Sequence, residues 1–252
     1  MKIVVIGGTG LIGSKLVGRL GDHGHNAVAA APATGVDTLT GEGLKAALRG
    51  ADVLVDVSNS PSFADDDVMT FFRTSTGNLI DAAQEEGIGH YVALSVVGSS
   101  RHPEIGYFRA KAAQEDLIMA SGLHYSIVHA TQFFEFAVGI ADMSTKDGVV
   151  RLPGAGVQPM AADDVAAAVG RAAVGKPLGG RLEIAGPDKF GLDEWVRKVL
   201  VARNDSRAVV QDSDARYFGA HMHYDTLLPR QGAQFGVISL GDWLAFDAQV
   251  RS

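Results

Sequence analysis

The chain has 252 residues, 46% apolar and 20% charged, the balance of a globule large enough for one α/β domain with a sizeable core. A net charge of −7 without any basic run excludes the electrostatic footprint of a nucleic-acid binder, and the absence of cysteine excludes a disulfide framework. The first apolar run is too short for a signal peptide and no stretch approaches the length of a membrane span, so a cytoplasmic location is expected.

Lys2 to Ile6 is a short apolar run without helical period, suited to a strand buried on both faces. Gly7, Gly8, Gly10 and Gly13 follow, and Leu11, Ile12, Leu16, Val17 and Leu20 then recur at helical spacing. Gly7 can take the angles of a sharp turn, Gly10 has no side chain to hold a pyrophosphate off the main chain, and Gly13 lets the helix lie against the strand. The amides opening that helix face an anion along its dipole. This strand–turn–helix context predicts dinucleotide binding.

Asn26 to Ala31 reads as a second strand, Gly35 to Asp37 as a very short third, and about Glu42 to Leu48 as a helix. Ala51 to Val57 is a strand ending in the polar loop Ser58-Asn59-Ser60-Pro61. A long amphipathic helix with its stop at Gly87 comes next, opened by Asp65-Asp66-Asp67 as a charged N-terminal cap rather than a metal site. His90 to Ser95 is a strand, Phe108 to Ala120 a helix and Tyr125 to Val128 a strand. Beyond residue 130 the rhythm loosens, with helices expected from Gln132 to Met143, from a cap at Asp163 to Val174, and from Leu192 to Ala202. Arg181 to Ala185 reads as the last sheet strand and Gly241 to Phe246 as a final helix.

This alternation predicts an α/β, Rossmann-type doubly wound parallel sheet with a small C-terminal substrate lobe. Residues 1–252 are read as a single domain, with 1–150 mainly the cofactor core and 151–252 mainly the lobe. The loops after Ile6, Ala31, Val57, Ser95 and Val128 should line one crevice at the carboxyl ends of the strands.

Tyr107 and Lys111 are four apart on a predicted helix and share a face, while Ser95 closes the preceding strand. Reduction of a carbonyl needs a hydride and a proton from a nearby acid. A free phenol has a pKa of about 10, and an ammonium one turn away is expected to lower it. Ser95 would hold the substrate oxygen, and Lys111 would also reach the nicotinamide ribose. His221 and His223 lack a third ligand nearby and read as ordinary loop histidines, so no metal is expected.

The segments Gly7-Gly-Thr-Gly-Leu-Ile-Gly13, Ser95…Tyr107-Phe-Arg-Ala-Lys111 and Ile184-Ala-Gly-Pro-Asp together resemble the short-chain dehydrogenase/reductase superfamily. Within it, the chain is most similar to the atypical, NmrA-like NAD(P)-binding branch, over roughly residues 1–200. The resemblance implies a nicotinamide cofactor whose pyrophosphate lies on Gly7, Gly10 and Gly13, with Thr9, Leu11 and Ile12 completing the loop. It further implies that Asp37 and Thr38 contact adenine, and that Ser58 and Asn59 touch the cofactor. Ser95, Tyr107 and Lys111 match the catalytic set, and Ala130, Thr131 and Gln132 the loop beside the nicotinamide. Members of this branch often lose the tyrosine, and some only sense dinucleotides; this chain keeps it. His129 stands where arginine is common. Homo-oligomers are common in the superfamily.

The second strand ends in Ala29-Ala-Ala-Pro-Ala-Thr34, with no carboxylate to repel a 2′-phosphate, and Lys15 and Thr34 are candidates to bind one. NADP(H) is therefore favoured over NAD(H). Phe133 and Phe134 are candidate substrate walls, though Phe133 and Phe136 share a helical side that is more often core. The expected activity is hydride transfer to or from a small apolar carbonyl or quinone. The alternatives are a non-catalytic NAD(P) sensor and a nucleotide-sugar epimerase or dehydratase, the latter without an evident basic diphosphate site.

Overall fold

The computed structural model describes residues 1–251. In chain order, β1 (Lys2–Ile6), α1 (Leu11–Asp22), β2 (Asn26–Ala30), α2 (Leu44–Leu48), β3 (Val53–Asp56), α3 (Asp65–Glu85), β4 (His90–Val96), α4 (Gly106–Ala120) and β5 (Tyr125–Ala130) come first. They are followed by α5 (Ala137–Met143), β6 (Thr145–Lys146), β7 (Val149–Leu152), β8 (Gly156–Val157), α6 (Ala162–Val174) and β9 (Gly180–Ala185). The last elements are β10 (Phe190–Gly191), α7 (Leu192–Ala202), β11 (Ala208–Gln211), β12 (Gln234–Phe235) and α8 (Leu240–Arg251). Among the described residues the main sheet has seven strands in the order β12-β9-β5-β4-β3-β1-β2, with β1 pairing in parallel to β2 and β3, and β3 to β4. No helix among them is long and apolar enough to cross a membrane.

The chain divides into two units, Met1–His129 with Val165–Leu182, and Ala130–Asp164 with Glu183–Ser252. The first unit includes most of α6, and the second begins at the end of β5. In the first unit, Val4, Ile6, Leu54 and Ala93 pack with Leu44, Leu48, Leu79, Ile80, Ala83 and Ile118 from α2, α3 and α4. Ile3, Val5, Val53 and Val55 are also buried, outside that cluster, so neighbouring residues of a strand serve opposite faces. Each such side chain contributes about 1.5–3 kcal/mol on burial, which explains why these strands read as unbroken apolar runs.

Gly106 lies where α3 and α4 meet. The Asp65 carboxylate fills the space beside it, since a Cβ at 106 would lie 1.8 Å from Oδ1, and Arg109 clamps the arrangement by donating to Asp65 and to the Pro103 carbonyl. The acidic start of α3 therefore grips the neighbouring helix as well as favouring its own dipole.

Five expectations are corrected. Gly35–Asp37 is not a strand: Gly35 is left-handed, Val36 donates to the Ala31 carbonyl, and Asp37 Oδ1 accepts from the amides of Leu39 and Thr40, closing a turn. The next helix starts at Leu44 instead of Glu42, because Gly43 has φ +72° against the Gly35 carbonyl. The Gln132–Met143 helix is a 3₁₀ turn at Phe134–Phe136 and then α5. Finally, Arg181–Ala185 is not the last sheet strand, since β12 pairs beyond it, and the final helix runs well past Phe246.

In the second unit, Asp163 lies within the first turn of α6 and not at its cap. Asp164, beside it, accepts from the amides of Val237 and Ile238 at 3.0 and 2.9 Å, and Glu135 accepts from the Ala162 amide and the Trp243 indole. Asp164→Ala leaves two amides without their acceptor and is expected to cost about 1–3 kcal/mol, read from a chemical denaturation curve. His221 and His223 are exposed loop residues.

Candidate active site

The glycine loop has the shape its sequence predicts. Gly7 has φ +74°, and a Cβ there would lie 2.9 Å from the Ser58 Cα. A Cβ on Gly13 would lie 2.1 Å from the Gly7 carbonyl oxygen, whereas one on Gly10 meets only that oxygen, at 3.3 Å. Gly13 thus brings α1 against the turn, and Gly10 leaves the main chain open to approach. Gly8, outside the expected triplet, is equally constrained, its Cβ position being 2.6 Å from the Ala29 Cα. Helix α1 opens on Gly10 with no side-chain cap and no acidic residue in its first turn, so its amides are available to an anion. These features fit a dinucleotide pyrophosphate. Gly13→Ala should push the turn off the helix, costing about 1–3 kcal/mol of stability and most of the dinucleotide affinity, measured by denaturation and by cofactor fluorescence titration.

At the end of β2, Ala30 and Ala31 are buried and no carboxylate faces outward. Thr34 is committed to local structure, accepting from the Ala31 amide at 2.9 Å and donating to the Ala31 carbonyl at 3.0 Å. Lys15 is half-buried on α1. The Thr38 carbonyl accepts from Asn78, so Asp37 and Thr38 both serve the turn described above. In the loop after β3, Ser58 donates from its amide and hydroxyl to Asp56, at 3.0 and 2.6 Å.

Tyr107, Lys111 and Glu115 follow one another along one stripe of α4. The Tyr107 hydroxyl donates to Asn59 Oδ1 at 3.1 Å, and its ring is flanked by Phe63 and Phe72 at 5.8 and 6.0 Å between centroids. The phenol therefore reaches the loop that packs on Gly7. Burial raises its pKa well above the ordinary value, opposite to the expected lowering by Lys111. The reason is visible in the lysine, which turns inward: it donates to the Leu94 carbonyl at 2.8 Å and to Gln114 Oε1, and lies over the Phe72 ring at 4.2 Å. Burial brings Lys111 down to about 8, against the opposing pull of Asp56 and Glu115. Gln114 passes the contact on by donating to Asp56 Oδ2 at 2.8 Å.

Ser95 turns instead to the third residue of the α4 stripe and donates to Glu115 Oε1 at 2.6 Å. Glu115 is fully buried and also accepts from Ser99 at 2.8 Å and Arg181 Nε at 2.7 Å. His129 Nε2 lies 3.0 Å from Oε2, a close contact outside hydrogen-bond geometry. Burial pushes the carboxyl up, but His129, Ser95 and Arg181 together outweigh it and hold Glu115 down to about 2. His129, at the position where arginine is common, thus faces the Glu115 carboxylate, and the guanidinium on that carboxylate comes from Arg181 of β9.

Sequence reading missed Glu115, Asp56, Gln114, Ser99 and Arg181. The spacing 107, 111, 115 was the available signal for Glu115, and an acid closing an apolar strand was the signal for Asp56.

Ala130, Thr131 and Gln132 belong to the second unit. There the Thr131 hydroxyl donates to the Gln158 carbonyl at 2.6 Å, a structural bond, while Gln132 Oε1 is buried with no partner among the described residues. Phe134 is 1% exposed and packs against Trp243, which makes it core and not a substrate wall. Phe133 stacks on Phe136, which is 44% exposed, so that pair is not fully interior as its helical spacing suggested.

Residues 7–174 match the model of the NAD(P)H-binding family. The chain belongs to that family. It is an atypical short-chain dehydrogenase/reductase, as the motifs resembled. Among curated relatives of this NAD(P)H-binding protein, the (4-alkanoyl-5-oxo-2,5-dihydrofuran-3-yl)methyl phosphate reductase of Streptomyces griseus is 30% identical over 206 residues, covering 74% of this chain and 68% of the relative. The photosystem II assembly factor Ycf39 of Cyanophora paradoxa is 29% identical over 164 residues, 58% of this chain and 51% of the relative. The chain thus spans about half the length of the assembly factors it matches. Two solved structures share the fold at 19% identity. The dTDP-glucose 4,6-dehydratase of Streptomyces venezuelae has a TM-score of 0.73 over 97% of this chain and 95% of its own. The NADPH-dependent quinone oxidoreductase of Escherichia coli, solved with NADPH, has a TM-score of 0.64 over 83% of this chain and 77% of its own.

Proposed function

We propose that the protein is an NADPH-preferring reductase of a small, fairly apolar carbonyl or quinone. The observation that carries this reading is the Tyr107 hydroxyl, held by Asn59 in the loop that flanks the glycine turn. The Streptomyces reductase and the quinone oxidoreductase support it by analogy of activity.

The pyrophosphate would be held by Gly7, Gly10, Gly13 and the amides opening α1, while Lys111, buried against the Leu94 carbonyl and Gln114, would brace the site from inside and not reach the ribose. When bound, a reduced nicotinamide supplies hydride. Tyr107 gives the proton at its phenolic oxygen: a phenol kept protonated by burial serves as the acid of the reductive direction. The buried ring of Phe72 and the half-exposed ring of Phe63 flank it and favour an apolar substrate. NADPH is preferred because no carboxylate stands at the end of β2 and Asp37 is turned into the Leu39 and Thr40 amides. The partner is a small molecule.

Titration with NADPH and NADH, followed by a screen of carbonyls and quinones for cofactor oxidation, tests the reading; equal affinities would remove the NADPH preference, and no turnover would remove the reductase. A second reading, an NAD(P) sensor without turnover, draws support from the raised phenol and from the Ser95 proton held by Glu115. It requires tight dinucleotide binding, no reduction of any compound and a conformational change on binding that proteolysis would register.

A further inference from the structure

The surroundings of Glu115 fix the direction in which Ser95 can hydrogen-bond. A serine hydroxyl carries one proton and two lone pairs. Ser95 and Ser99 both aim that proton at Oε1 of Glu115, at 2.6 and 2.8 Å, while Arg181 Nε occupies Oε2 at 2.7 Å with His129 Nε2 at 3.0 Å. A carboxylate met by this many donors is ionised and accepts only, and the Ser95 distance is that of a charge-assisted O–H···O⁻ bond. The next peptide is tied down as well, since Lys111 holds the Leu94 carbonyl. The serine therefore cannot rotate its proton outward without leaving a buried charge short of a donor.

We propose that Glu115 is a positioning residue that makes Ser95 a hydrogen-bond acceptor toward whatever binds beside it, so that the bound molecule presents an O–H or N–H there and Tyr107 alone protonates the reacting oxygen. This rests on the reductase reading and deepens it. The substrate class it names is a carbonyl compound with a neighbouring hydroxyl or amide N–H.

Neutron diffraction from the perdeuterated full chain with NADPH bound tests the polarity directly. The Ser95 deuterium is expected on the line to Glu115 Oε1; finding it on Glu115, or aimed away from it, overturns the proposal. Kinetics supply the second arm, comparing an α-hydroxyketone with the parent ketone. The wild-type kcat/KM should favour the hydroxyketone by about tenfold, the worth of one hydrogen bond. In Glu115→Gln, which keeps the shape without the charge, the preference should shrink to within about threefold, through KM and not kcat. A wild-type enzyme that turns over both ketones equally, or a variant that keeps the full preference, overturns the proposal. If neither compound nor any other carbonyl is reduced, the reductase reading fails on its own and the neutron map still decides the polarity of Ser95.

Discussion

Glu115→Ala lowers the unfolding free energy by about 3–5 kcal/mol, the largest stability loss expected of any single substitution here. The variant strands Arg181 without its counter-charge, removes the carboxylate that His129 faces and leaves the protons of Ser95 and Ser99 without an acceptor. Urea denaturation of the two proteins side by side measures it, and a difference below about 1 kcal/mol would show the cluster to be solvated, as surface ion pairs are. The same cluster sets an acid limit. Glu115 is held at about 2 against an ordinary 4.5, so the unfolded chain takes up a proton first as the pH falls. The stabilisation is whole above about pH 4.5 and is lost progressively toward pH 2, about 3 kcal/mol in all. In Glu115→Gln this acid-side slope flattens.

Tyr107→Phe is expected to reduce kcat by at least about a hundredfold while the dissociation constant of NADPH changes by less than about threefold. The substitution removes the hydroxyl and its bond to Asn59 but keeps the ring between Phe63 and Phe72, so packing is preserved. Single-turnover measurement of NADPH oxidation separates the chemical step from binding. Turnover at the wild-type rate would mean that the proton comes from elsewhere, and weakened NADPH binding would mean that the phenol serves the cofactor.

The parts of this molecule that were legible in its sequence are those whose physics is local. Gly7 and Gly13 announce themselves because turn, strand and helix are contiguous, and the buried strands because both faces are covered. Glu115 was invisible for the opposite reason. In Gln114-Glu115-Asp116 it reads as a polar stretch of helix, and what buries it arrives from β4, β5 and β9, separated by as many as 66 residues. Lys111 was placed correctly on the face of Tyr107, yet helical spacing says nothing about where a long, flexible chain points its ammonium. Gly43 and the turn at Asp37 depend on one left-handed residue and two amides, below the resolution of any periodicity, and β12 has too few residues to carry a pattern at all.

The contact between Asp65 and Gly106 has a consequence for anyone who would alter the surroundings of Tyr107. With a carboxylate seated where a Cβ at position 106 would go, enlarging the position just ahead of the tyrosine means turning the Asp65 side chain aside and giving up its grip on Arg109. The half-exposed ring of Phe63 beside the phenol is the freer position to vary, since truncating it leaves that anchor untouched.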